Sequence, residues 1–395
     1  MMQQTEFCVT DFGAKPSPEA DNTAAFQAAM DAAGAVGGVV TVPSGRWNVG
    51  KLMIPAGITV MGTYTWNWSS FDGFHGTVLV MCHDNDSCCF DMTHAYGSHL
   101  KGISIDGRRI GAGIHGVYID RDEWDEREDN IKIEGCRIGH FSGDSVRFKY
   151  VRGFSVHHSM LCFSLGWSLY VTGRDGSLYD NWFSDSEAGN VAFGGFASAI
   201  RMYCNRCEDS PTGIDMMLYL PMGDEPREGC RDITIESNCF CGSSLGGIRA
   251  IGTPEVALTN IVIMGNTFNV NGGADNTNLQ NSSSHLWVEY LKDSVICGNT
   301  FFAGRGFFQP GERVRPSYSV VMAHLDNCII SENGMNLGAC YEPFHNEGRH
   351  MGPVLMHNNQ GREVPEIDDY LFPWWSMRQF PEGRAGQDEK AKARK

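Results

Sequence analysis

At 395 residues, with 47 glycines and only 20% charged residues, the chain reads as one extended β-rich domain rather than a helical bundle. Glycine costs about 1 kcal/mol inside a helix but serves the corners of a turn-rich β architecture without steric penalty. The net charge of −16 repels phosphate backbones and anionic lipid, which excludes nucleic acid and membrane surfaces as expected partners.

The first residues, Met1-Met2-Gln3-Gln4-Thr5-Glu6, carry no apolar signal core, and no segment approaches the roughly 18 apolar residues of a membrane span. A cytoplasmic location is therefore expected, with the 14 cysteines kept as thiols. Cys204-x-x-Cys207 and Cys239-x-Cys241 lack a companion pair at zinc-finger spacing, so core thiols are expected there and no metal.

The opening runs Asp11-Phe12-Gly13-Ala14, then Asp21-Asn22-Thr23 heading a helix over 24–33, then Gly37-Gly38-Val39-Val40-Thr41-Val42-Pro43-Ser44-Gly45. Asp21 or Asn22 is suited to cap that helix, whose Phe26, Met30 and Ala33 form an apolar stripe able to cover the open end of a stack of strands. This series resembles the start of the pectate-lyase-like right-handed parallel β-helix superfamily. The resemblance covers roughly residues 7–360 and implies carbohydrate chemistry in a groove along one face. An oligosaccharide or polysaccharide is then the partner, no cofactor is required, and packing of solenoid sides suggests a homotrimer.

Next comes a loop over 64–75 in which Trp66 and Trp68 mix with polar residues, a composition that suits stacking on sugar CH faces. The charged run 120–129 reads as a solvated loop. From there an internal repeat governs the chain. Ile263-Met264-Gly265-Asn266-Thr267-Phe268 recurs as Ile296-Cys297-Gly298-Asn299-Thr300-Phe301, and asparagines fall at 181, 205, 238, 266, 299 and 333, at intervals of 24–34 residues. Repeats of this length with short strands predict a solenoid in which asparagine takes a left-handed turn and hydrogen-bonds along the stack. A second family, including Ser145-Val146-Arg147-Phe148, Ser168-Leu169-Tyr170-Val171 and Gly213-Ile214-Asp215-Met216, predicts two strands per coil. The expected fold is all-β, a single-stranded right-handed parallel β-helix with an N-terminal capping helix over 1–360, followed by a C-terminal extension over 361–395 whose lysine-rich end is too polar to fold.

Glycoside cleavage needs two carboxyl groups, one donating a proton and one activating water or attacking the sugar. Successive coils bring such groups together because neighbouring strands lie about 4.8 Å apart. The densest acidic region is 173–187, so Asp180, Asp185 and Glu187 are candidate catalytic residues, with Asp209 and Asp215 one coil later and Asp144 before it. Trp182, His158, Arg147 and Arg249 are candidate sugar contacts; the arginines also suit a uronate carboxylate. In strand alternation, one of His157 and His158 is expected to face inward. The stretch from Ser168 to Asn190 is similar to coils of inulin fructotransferases and difructose-anhydride hydrolases. That similarity implies a catalytic role for Asp180, but the partner glutamate aligns near Ala192. No Asn-Thr-Asp, Asp-Asp or Gly-His-Gly pattern appears in polygalacturonase order. The leading expectation is a glycoside hydrolase, with intramolecular fructosyl transfer or polysaccharide elimination as enzyme alternatives and a glycan-binding or phage-spike module as the non-enzymatic one.

Overall fold

Alternation of apolar and polar residues decides which side of each strand faces inward, and in-register pairing stacks the inward residues into columns. Val117, Val146, Leu169, Val191, Met216, Ile248, Leu286 and Val320 form one such column. Leu178, Met202, Ile235, Ile263, Ile296 and Ile330 form a second. The third contains Leu161, Phe183, Cys207, Phe240, Phe268 and Phe301, of which the last three are stacked rings. All named pairings are parallel, and the chain winds as a right-handed parallel β-helix. The computed structural model describes residues 5–63, 76–220, 229–272, 283–303, 316–339 and 342–363. Trp66 and Trp68 of the aromatic loop, and the chain beyond 363, lie outside these residues.

Each coil has three strands, not the two that the repeat suggests. The motif Ile-x-x-Asn-x-Phe is itself two strands around a corner: Leu258–Met264 and Thr267–Asn269, for example, lie on different faces. We call the face carrying His115–Ile119 and Ile214–Leu220 the first, that carrying Ile131–Glu134 and Arg231–Glu236 the second, and that carrying Trp182–Ser184 and Arg206–Glu208 the third. Two long strands, Val146–His157 and Trp167–Tyr179, run from the first face onto the second, with a register shift between Lys149 and Val151.

The asparagines form a buried ladder at the corner between second and third faces. Asn181 donates from its backbone and side-chain nitrogens to Oδ1 of Asn205, both at 3.0 Å. The same pair of bonds repeats to Asn238, Asn266, Asn299, Asn333 and Asn359. The left-handed residue is the one before each asparagine: Asp180 (φ 53), Cys204, Ser237, Gly265, Gly298 and Glu332. The asparagine is retained for its amide, which satisfies backbone groups of two coils at once.

The helix α1, Thr23–Gly34, buries Phe26, Ala29, Met30 and Ala33 over the first coils. Asn22 stands at its N-cap without a side-chain cap bond and instead accepts from the Lys15 backbone at 2.7 Å; Asp21 Oδ1 accepts from Thr23 N at 2.9 Å. The charged run 120–129 is also more than a solvated loop. Asp129 is fully buried against Arg121, and Trp124 packs edge-on to Tyr150 under the Arg174 guanidinium. Of 13 described cysteines, all free, seven are buried; Cys207 points into the core, so it cannot join Cys204, exposed at the corner, on one ion.

Candidate active site

The candidate residues separate into four places. Asp180 and His158 sit at the second-to-third corner, both exposed, with Nε2 of His158 3.3 Å from Asp180 Oδ2. His157 and His158 both face outward, contrary to strict alternation. The strand ends at His157, and His158 takes the left-handed turn position with φ 49, so the inward residue is Val156. His157 stacks on Tyr179, which stacks on Tyr203, at 4.7 and 5.1 Å.

Asp144 and the two arginines lie on the first face. The buried Asp144 carboxylate accepts from the Trp167 backbone at 2.7 Å and from Arg147 at 2.7 Å. Arg147 lies 4.2 Å over the Tyr170 ring, and Arg249 donates to the Leu245 carbonyl at 2.6 Å near Trp287. Beside them the Tyr118 hydroxyl meets Asp120, which pairs with Lys149 at 2.8 Å, while Asp91 pairs with Lys51 at 2.8 Å. Burial and the Asp120 charge push the Tyr118 phenol up. Asp91 and Asp120 are held low: burial opposes ionisation, but Lys51 and Lys149 with their hydrogen bonds outweigh it. These carboxylates are poor proton donors at neutral pH.

Asp215 points inside the solenoid and is wholly buried. Its Oδ1 accepts from Asn190 at 2.9 Å and from Ser243 Oγ. Burial drives its carboxyl well above the ordinary range, more than these bonds lower it, so it is a neutral core acid. Asp215→Asn should leave the melting temperature within a few degrees, whereas Asp215→Leu, which strands both donors, should lower stability by about 1–3 kcal/mol for each. Thermal unfolding of the two variants reads this directly.

The fourth place, the corner from the third face back to the first, gathers the rest. Ser184 pairs with Glu208 across adjacent coils, and one step on, Asp185 N donates to the Glu208 carbonyl at 3.3 Å. Asp185 and Asp209 therefore occupy the same position of successive coils, both left-handed at φ 55. Ser184 Oγ donates to Asp185 Oδ2. Asp209 reaches over Gly242 of the following coil, where a Cβ would stand 2.2 Å from its Oδ1. Asp209 is exposed by its side-chain surface; desolvation by the chain packed around it, then the charges of Asp185 and Glu208, raise it to about 6 against a smaller pull from Arg206. On the adjoining outward surface, Arg206 lies 4.4 Å over Trp182 and forks onto Glu208 at 2.9 and 3.1 Å. Glu187, exposed, pairs with Arg109 at 3.3 Å. The structure thus brings together Asp185, Glu187, Trp182 and Asp209, and adds Glu208. Asp209 was legible through the ladder: Asp185 and Asp209 each stand four residues after their asparagine.

No family model matches this sequence. The mannuronan C5-epimerase AlgE1 of Azotobacter vinelandii is 27% identical over 284 residues, 65% of this chain but only 19% of that protein. Among solved structures, the A-module of the mannuronan C-5 epimerase AlgE4 from Azotobacter vinelandii superposes with a TM-score of 0.57 at 16% identity, covering 90% of this chain and 99% of that one. The DFA-IIIase of Arthrobacter chlorophenolicus A6, solved in complex with GF2, gives 0.59 at 12% identity over 86% and 94%. The catalytic unit of the GH87 α-1,3-glucanase from Streptomyces thermodiastaticus gives 0.58 at 17% identity over 93% and 71%. The chain shares its parallel β-helix with carbohydrate-active proteins of several reaction types.

Proposed function

We propose that the protein is a carbohydrate-active enzyme that hydrolyses glycosidic bonds with the Asp185–Asp209 pair. The observation that carries this is a pair of carboxyls in successive coils, one of them raised to about 6 and so able to hold a proton near neutral pH. Asp209 would protonate the glycosidic oxygen as the bond to the anomeric carbon breaks. Asp185 would attack that carbon, and water would then release the sugar with Asp209 as base. This two-step displacement through a glycosyl-enzyme retains configuration at the anomeric carbon. Support also comes from the fold shared with a glucanase and a DFA-IIIase. The expected trimer and cytoplasmic location belong to the same proposal.

A second reading is favoured by the first face and the epimerase similarity. Arg147 and Lys149 supply cations for a uronate carboxylate, with Tyr118 beside them as a proton-transfer group for elimination or epimerisation. Two conservative variants separate the readings on a panel of fructans, glucans and uronans. The hydrolase reading predicts that Asp185→Asn loses turnover and Tyr118→Phe keeps it. Loss in Tyr118→Phe with activity kept in Asp185→Asn would move the chemistry to the first face.

A further inference from the structure

A separate constellation joins the N-terminal cap to the solenoid, away from the proposed acid pair. Asp21 stands just before α1 and bridges to Asn48, while Cys82 and His83 follow the third-face strand Thr77–Met81. One donor atom from each of Asp21, Cys82 and His83 lies within 4.8 Å of the other two, with His83 Nε2 and Asp21 Oδ2 at 3.0 Å.

Hydrogen bonds fix the directions of the His83 ring and the Asp21 carboxylate in this group. The other ring nitrogen, Nδ1 of His83, is 3.0 Å from Asp86 Oδ2, and that oxygen also accepts from the Lys51 backbone at 2.7 Å. A carboxylate on Nδ1 holds the proton there, the arrangement found behind metal-bound imidazoles; Nε2 faces Asp21 Oδ2 at 3.0 Å, and a cation bound between them would take the place of the proton they share. The other oxygen of Asp21, Oδ1, is occupied by the Thr23 N–H and hydroxyl, which leaves Oδ2 facing the histidine. Gly50 makes room for this. A Cβ there would stand 2.0 Å from His83 Nδ1 and 2.8 Å from Asp86 Oδ2, so the ring and its carboxylate lie directly on bare backbone.

We propose that Asp21, Cys82 and His83 bind one thiophilic divalent cation, Zn²⁺ in the first instance, which clips the capping helix to the solenoid. The donor set of one thiolate, one imidazole and one carboxylate suits zinc, whose bonds to these groups run about 2.0–2.3 Å, with water at the fourth position. Asp86 is a positioning residue.

Untagged protein, dialysed after loading with Zn²⁺ alone, tests this by elemental analysis, and Co²⁺ substitution tests the thiolate through its sulfur-to-cobalt charge-transfer absorption. The proposal expects one zinc per chain, a higher melting temperature with zinc than after chelation, and a charge-transfer band that vanishes in Cys82→Ser. Asp86→Asn should keep the stoichiometry and weaken affinity about 10–100-fold. If His83→Ala does not fold, Cys82→Ser and Asp86→Asn still decide the matter. Zinc at trace level in the folded wild type, zinc retained equally in Cys82→Ser, or cobalt binding without the charge-transfer band would each overturn it. None of these readouts depends on catalytic activity.

Discussion

Asp209→Asn is expected to lower kcat on a cleavable glycan by about 10²–10⁴-fold, the usual worth of a positioned acid, in a protein that folds normally. The proton on Asp209 is the source of the effect, so the wild-type rate should fall as pH rises through about 6. The stability consequence has the same origin. A carboxyl whose folded pKa lies above its unfolded value binds its proton more tightly in the native state, so its contribution is present at low pH and is lost as pH rises through about 6. The asparagine variant lacks that dependence and should match or exceed the wild type in stability above this pH. Chemical denaturation at a series of pH values, beside the rate profile, separates catalytic from structural loss. A variant with full activity would remove Asp209 from the chemistry.

Asn266→Ala is the second large effect, and it acts on the fold. Oδ1 of Asn266 accepts the Asn238 backbone N–H at 2.9 Å and its side-chain amide at 3.1 Å, while Nδ2 donates to the Ile235 carbonyl at 2.9 Å and to Asn299 at 3.0 Å. Alanine leaves at least two of these buried partners unsatisfied, each at about 1–3 kcal/mol, so a loss of roughly 2–6 kcal/mol is expected. Asn266→Ser should cost less. Ser159 stands one rung before Asn181, and its hydroxyl accepts the Cys136 N–H at 3.1 Å, so the ladder already tolerates a hydroxyl. Equilibrium denaturation that placed alanine within 1 kcal/mol of wild type would show that the ladder contributes little.

The solenoid and its cap were legible because each leaves a local trace. Asparagine recurs because a single amide must serve two coils, and Phe26 and Met30 recur along one side of α1 because that side closes the core. The third strand was hidden: Thr267–Asn269 has only three residues, too few to show alternation, and it follows the second-face strand directly round the corner. The site was legible as a region and not as a set. Asp180, Asp185 and Glu187 are within eight positions in sequence, yet a corner turns between Asp180 and Asp185, leaving the first beside His158 and the second beside Asp209. Asp215 looks like any strand acid in sequence. Its direction depends on the bend at the start of its strand, where Asn190 and Ser243 from neighbouring coils meet it inside.

The most direct test of the central claim is mass spectrometry of products formed in heavy-oxygen water from neutral and acidic oligosaccharides. Hydrolysis predicts one added water per bond broken, carrying the heavy oxygen, and loss of that product in Asp185→Asn. An unsaturated or anhydro product, or an epimer of unchanged mass, would contradict hydrolysis by the Asp185–Asp209 pair.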